Sequence, residues 1–228
     1  MNKSYKMGII AVGIAVLAIG AGTLTLDRTE STNQNSGMNE SKDNGMLTDT
    51  LSTLEGDKFD QAFINDMVEH HTGAVAMAKL VETEAKDPRI QQLAVAIIAD
   101  QTREINDMKS WANKWDYGLK DPRQSAVDEM VSGMSGKSGA QLDIAFLSDM
   151  IGHHQSAIDM SRLANSNANH QEIKTLASQI TTAQESEIKL MKDIATEAGY
   201  TLNITEGHHS AGDSHTDGDS HSGTTVKH

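Results

Sequence analysis

Histidine, methionine, glutamate and glutamine recur at matching positions in two stretches of the sequence, and these side chains can bind a metal ion. The first stretch provides Met67, His70, His71, Met77, Gln101, Glu104 and Met108, and the second provides Met150, His153, His154, Met160, Gln184, Glu187 and Met191. Thioether sulfur is soft enough for Cu(I), imidazole serves both Cu(I) and Cu(II), and zinc takes methionine less often. The ligand set therefore favours copper.

Helix geometry places part of each set on one buried face. At 100° per residue, His70 lies within an apolar stripe and is predicted to point into the core. Gln101 and Glu104 share the apolar stripe of the next segment. In an antiparallel pair His70 would face Gln101. Met67 would face Glu104, so all four side chains would meet at one level. The carboxylate of Glu104 needs a partner when it is buried.

Four further polar side chains flank this core set, and their predicted roles differ from it. His71 and His154 are expected nearer the edge of the stripe, where each is either a ligand at the mouth of the site or a residue that faces water. Asp66 and Asp149 each stand four residues before the first histidine of their stretch. That spacing predicts local pairing with this histidine, and the two aspartates are weaker candidates for metal binding.

The same residues have a second interpretation that requires no metal. Methionine at helical spacing usually fills a hydrophobic core, and Met77, Met108, Met160 and Met191, taken singly, favour that role. A buried histidine hydrogen-bonded to a carboxylate can be a satisfied polar network. The alternative function is then an envelope interaction or stress module, whose melting temperature metal would leave unchanged.

An internal repeat positions both ligand sets. Residues 60–117 realign on residues 143–200 without a gap, and apolar spacings of three and four predict two amphipathic helices in each copy. Asp87 and Pro88 form an N-cap and first-turn pair, so the helices of the first copy are antiparallel with a short connection. Two such hairpins predict an all-α four-helix bundle with an internal pseudo-twofold axis. The segment that connects the two copies, residues 118–141, is long enough to cross the bundle.

The predicted bundle occupies residues 54–204, and the two flanks differ from it in composition. Lys3 and Lys6 precede an uncharged run that ends at residue 26, so residues 1–26 are predicted to be a signal peptide or a signal anchor with its apolar part at 7–26. The protein is then exported to the periplasm or cell envelope. Residues 27–53 are a predicted flexible linker, and residues 205–228 a predicted disordered tail. The candidate metal ligands of the tail are His208, His209, His215 and His221.

Composition limits the classes of function. The chain has 228 residues, and 19 Lys and Arg against 32 Asp and Glu give a net charge of −13. This balance disfavours nucleic acid and anionic lipid as partners and favours cations. The sequence has no cysteine, which excludes disulfides, thiolate zinc sites and iron–sulfur clusters. The predicted partner is a metal ion. The delivery partner and oligomeric state stay open.

Two segments of the chain resemble domain of unknown function family 305. They are FINDMVEHHTGAVAMAK and FLSDMIGHHQSAIDMSR, each followed by a helix with the pattern I-x-x-L-A-x-x-I-x-x-x-Q-x-x-E-I-x-x-M. The resemblance covers about residues 57–200. It implies an exported protein with a ferritin-like four-helix fold, and some members of the family are associated with copper binding and copper resistance. The family pattern falls on every member of the two ligand sets given above.

A ferritin-like fold raises a rival function, a di-iron or di-manganese carboxylate enzyme. Such a centre needs two Glu-x-x-His motifs, but Met67 and Met150 stand three residues before His70 and His153. A copper-dependent oxidoreductase would need an open coordination position and a substrate cleft, and no sequence feature marks a cleft. We therefore predict a protein that is not an enzyme and that acts in copper sequestration, delivery or tolerance.

Overall fold

The computed structural model describes residues 48–204, and this part of the chain is helical. The helices are α1 (Gly56–Val81), α2 (Pro88–Lys114), α3 (Gln124–Ser132), α4 (Ala140–Asn167) and α5 (Gln171–Ala198). The predicted signal segment, most of the predicted linker and the histidine-containing tail lie outside the described residues. Within 48–204, no helix is long and apolar enough to cross a membrane.

The four long helices form the two predicted antiparallel hairpins, α1 with α2 and α4 with α5. The fold class is therefore confirmed. Asp87 caps α2 as expected, because its carboxylate accepts a hydrogen bond from the backbone N–H of Arg89 at 2.9 Å and Pro88 fills the first position of the helix. His170 precedes α5 and makes no side-chain cap bond. A carboxylate from the other copy supplies that cap.

Two fully buried aspartates, Asp60 and Asp143, join the copies to each other. Each lies near the start of its own copy and accepts hydrogen bonds from two backbone N–H groups in the loop of the opposite hairpin. The donors are Lys86 and Asp87 to Asp143, and Asn169 and His170 to Asp60, at 2.8 to 3.0 Å. The start of α1 therefore lies beside the end of α4 and vice versa. These two helices are antiparallel and related by the pseudo-twofold axis.

The hydrophobic core divides into two clusters. On α1, buried residues up to Val68 belong to one cluster and buried residues from Ala74 onward to the other. The Met160 cluster contains Met67, Met108 and Met160, and the Met134 cluster contains Met77, Met134, Met150 and Met191. The buried histidines of α1 and α4 lie between these two clusters along the helices.

The segment that joins the copies packs against α1 instead of forming a plain loop. Its helix, α3, was not predicted, because a helix of nine residues with one buried side chain, Val127, has too short an apolar stripe to recognise in a sequence. Arg123 pairs with Glu69 of α1 at 2.7 Å. Met130 fits against Gly73 of the same helix.

The predicted linker also ends earlier than expected. Residues 48–52 are helical, and Leu51 is fully buried in the Met160 cluster beside Phe59. Leu47, Leu51 and Leu54 follow one another at spacings of four and three, but this helix-type pattern is too short to separate the segment from the Ser- and Thr-rich linker before it.

Candidate metal centre

Four histidines, two from each copy, form a buried polar layer across the bundle, referred to below as the histidine layer. It consists of His70, His71, His153 and His154, each with at most 8% of its surface exposed. The rings of His70 and His153 lie against each other between α1 and α4, with centroids 3.6 Å apart. His153 Nε2 is 3.0 Å from the carbonyl oxygen of His70. Because a carbonyl only accepts, this nitrogen carries the hydrogen.

His71 and His154 pair with glutamates of the neighbouring helix in their own copy. His71 Nε2 lies 2.8 Å from the Glu104 carboxylate, and His154 Nε2 lies 2.6 Å from the Glu187 carboxylate. Both rings are fully buried, so the prediction that they lie at the edge of the stripe is wrong. The hydrogen bond from His71 to Glu104 was not predicted, because helix periodicity placed only Met67 opposite this glutamate. The reason is that α1 packs against two helices, with residue 71 facing α2 and residue 70 facing α4.

These hydrogen bonds determine which ring nitrogen of each histidine keeps a lone pair that could bind a metal ion. The carbonyl and carboxylate oxygens accept from Nε2 of His71, His153 and His154, so in the neutral ring the lone pair lies on Nδ1. A metal-bound histidine in proteins usually donates its other N–H to a carboxylate or backbone carbonyl in this way. The layer therefore has the outer hydrogen bonds that metal-binding histidines require.

Buried polar atoms without partners are concentrated at this layer. Within the described residues, the Nδ1 atoms of all four histidines make no hydrogen bond, nor do both amide atoms of Gln101 and the amide oxygen of Gln184. A buried polar group left unsatisfied costs about 1–3 kcal/mol. A metal ion that accepts imidazole ligands would satisfy several of these atoms at once.

Burial also keeps the central histidine pair neutral. Desolvation lowers the pKa of His70 and of His153 well below the usual value, and the neighbouring histidine rings lower it further. A neutral imidazole offers its lone pair without first losing a proton. Neither ring of the pair therefore carries a positive charge at neutral pH.

The predicted methionine ligands are all fully or almost fully buried, but they lie on both sides of the histidine layer. Met67, Met108 and Met160 are in one cluster, and Met77, Met150 and Met191 are in the other. Two further methionines near these clusters, Met130 and Met134, lie on the connecting segment and were not predicted. Their spacing of four residues was the available signal, because it is typical of one helix face.

Asp66 and Asp149 do not form the predicted pairs with the histidines four residues further on, whose Nδ1 atoms have no partner. Both carboxylates lie beside the connecting segment. Asp149 is so close to Gly133 that an added Cβ there would be 2.7 Å from its oxygen. Burial raises the pKa of Asp66 to about 6, although the charge of Lys120 opposes the rise, and burial also raises the pKa of Asp149.

Substitution of Asp66 by asparagine is expected to stabilise the metal-free protein at neutral pH. The folded-state pKa of about 6 exceeds the ordinary value of 3.8, so ionisation of Asp66 opposes folding fully above pH 6 and not at all below about pH 4. The shift corresponds to at most about 3 kcal/mol, and solvent screening at this half-buried site reduces it to about 1–2 kcal/mol.

Urea unfolding of both proteins at pH 7.5 and pH 4 checks this effect. The gain should be present at the higher pH and absent at the lower one. Asp193→Asn is a matched control, because Asp193 is an exposed helix residue paired only with a surface lysine. An equal gain at both pH values would contradict the assignment.

A second group of ligand-type side chains lies at one end of the bundle. Ligand atoms of Asp57, Asp60 and His170 lie within 4.8 Å of one another. Their oxygens already have donors, because Asp60 accepts from the ring Nδ1 of His170 at 2.7 Å and Asp57 accepts from the hydroxyl of Tyr117 at 2.9 Å. This group acts as a cap on the loop before α5. The histidine layer differs, because its Nδ1 atoms have no hydrogen-bond partner.

Comparison with known proteins begins with two family models. The model described as Domain of unknown function (DUF305) matches residues 20–112 and 143–227. A second, described as Domain of unknown function (DUF4142), matches residues 73–179. Among curated proteins, the uncharacterized protein L153 of Acanthamoeba polyphaga mimivirus is 47% identical over 51 residues. That match covers 22% of this chain and 34% of the viral protein, which is about a third of its length.

Two solved structures resemble the bundle over nearly their whole length. A DUF305 protein from Streptomyces coelicolor is 26% identical, with a TM-score of 0.57, 64% of this chain covered and 98% of that chain. CopM in its Cu(I)-bound form is 32% identical, with a TM-score of 0.52 and coverage of 61% and 96%. CopM has also been crystallised in Cu(II)-bound and Ag-bound forms, each 33% identical to this chain.

Proposed function

Because the chain belongs to the DUF305 family, we propose that it is an exported copper-binding protein that sequesters or delivers copper, contributes to copper tolerance, and is not an enzyme. The observation that carries the proposal is the histidine layer, in which all four buried Nδ1 atoms have no partner while the Nε2 atoms of His71, His153 and His154 are held by glutamates or a carbonyl. The copper-bound and silver-bound forms of CopM support the same class of ligand.

The residues of this layer have distinct roles in the proposal. His70 and His153 are the central ligands, because they are neutral and lie against each other between the two copies. His71 and His154 are further imidazole ligands, oriented by their glutamates. Copper binds both imidazole and thioether ligands, and few other biological metals do so. The methionine, glutamine and glutamate members of the two predicted sets complete the candidate site.

The metal-free alternative accounts for fewer of these contacts. A structural His–Glu network explains why Nε2 is paired, but it leaves the Nδ1 atoms and the amide of Gln101 buried without partners. Such groups are rare in proteins unless a ligand or water meets them. Export is supported by the charge and apolar pattern at residues 1–26, and the high negative charge favours attraction of cations.

Retention of Cu(I) against a chelator tests this function. The full chain, loaded with Cu(I) without oxygen, is expected to keep copper against a competing Cu(I) chelator. His70→Ala combined with His153→Ala should weaken the apparent affinity by at least about ten-fold, which corresponds to 1.4 kcal/mol. As control, His208, His209, His215 and His221 are replaced by glutamine, which should leave the tight copper in place.

Circular dichroism verifies that both variants remain helical. Copper retained equally by the wild type and the double variant would reject the histidine layer as the site. Loss of copper only in the tail variant would assign metal binding to residues 205–228.

A further inference from the structure

We propose that Met130 provides an additional thioether ligand for a soft metal ion, Cu(I) or Ag(I), on one side of the histidine layer only. This inference rests on the proposed copper function and extends it by naming a ligand that lies outside both repeated copies. It also predicts that the two halves of the bundle, although related by sequence, differ in their affinity for soft metals.

The sulfur of Met130 lies on the surface of α1 where a side chain at position 73 would begin. A Cβ added to Gly73 would be 1.9 Å from this sulfur. Position 73 stands three residues after His70 and four before Met77, and such spacings bring Cβ positions on a helix to about 5–6 Å. The thioether of Met130 thus lies on the stretch of α1 between His70, whose Nδ1 has no partner, and Met77, which belongs to the cluster that Met130 packs against.

The second copy does not repeat this arrangement. Ser156 stands at the position equivalent to Gly73, and α3 packs on α1. Met130 also packs against the Met134 cluster, which with it includes five methionines, while the Met160 cluster on the other side of the histidine layer has three. Because soft cations prefer sulfur, the Met134 cluster is the favoured side.

The exposure of Met130 distinguishes it from the other methionines of this cluster. Met77, Met134, Met150 and Met191 are almost fully buried, whereas Met130 is partly exposed at the edge of the cluster. A leucine would fill a purely hydrophobic position equally well. A thioether at the boundary between solvent and the cluster can bind an incoming ion before the ion reaches the buried ligands.

Titration of the full chain with Ag(I), which does not change oxidation state, tests the proposal. The ε-methyl NMR signal of Met130 is expected to shift with the first equivalent of Ag(I). Met130→Leu should lower the affinity for that first equivalent by at least about ten-fold. Gly73→Ala should act in the same direction, because its methyl group displaces the sulfur without removing it. Val131→Ala is the matched control, since Val131 packs against the same cluster and has no donor atom.

The outcomes separate this inference from the broader function. If the wild type binds Ag(I) or Cu(I) but the Met130 signal does not move and Met130→Leu binds as tightly, the role of Met130 is rejected and the copper function stands. If the wild type binds neither ion, both are rejected. A loss of affinity in Val131→Ala as large as in Met130→Leu would reduce Met130 to a packing residue.

Discussion

Replacement of Asp60 or Asp143 by alanine is expected to lower the free energy of unfolding by about 2–4 kcal/mol in each case. Both carboxylates are fully buried, and each accepts two backbone hydrogen bonds from the opposite hairpin. Alanine removes the acceptor and leaves these N–H groups at a helix start without their cap. Each aspartate also loses a side-chain hydrogen bond, which comes from the Tyr200 hydroxyl to Asp143 at 2.9 Å and from the His170 ring to Asp60 at 2.7 Å.

Urea unfolding measured by circular dichroism gives these energies. Asp193→Ala is the control, because an exposed pair with a lysine on the same helix contributes less than about 1 kcal/mol. The pseudo-twofold axis predicts losses of similar size at Asp60 and Asp143. If either substitution destabilises the protein no more than the control does, the aspartate does not join the two copies as described.

The fold could be predicted from the sequence because the same pattern occurs twice. One amphipathic segment leaves its partner undetermined, but two copies that each fold as a hairpin bury their stripes most simply against each other. Asp87 and Pro88 fixed the start of α2. The cross-copy role of Asp60 and Asp143 could not be predicted, because it depends on how the two hairpins dock and not on any local spacing.

The candidate site was predicted in part, and its errors have one physical cause. The residue types of the histidine layer were identified, but helix periodicity alone describes a single buried stripe. In the structure α1 packs against both α2 and α4, so the buried surface is wide enough to include His71 as well as His70. Glu104 therefore meets His71, and its predicted partner Met67 lies in the hydrophobic Met160 cluster.

Copper bound in the histidine layer is expected to raise the melting temperature of the full chain. A ligand that binds only the folded state stabilises it by RT ln(1 + [L]/Kd), which is about 2.7 kcal/mol at a free concentration of 100 Kd. For a protein of this size, that gain corresponds to a rise of about 5–10 °C. The rise should be absent from the His70→Ala, His153→Ala double variant, because this variant lacks the central pair of ligands.

Thermal unfolding of three proteins with Cu(I), Cu(II), Zn(II) and no metal therefore tests the copper site most directly. The proteins are the wild type, the double variant and the tail variant in which His208, His209, His215 and His221 are replaced by glutamine. We predict that copper raises the melting temperature of the wild type and the tail variant alike, and that zinc has a smaller effect. A shift that persists in the double variant, or one that disappears with the tail histidines, would contradict copper binding in the histidine layer.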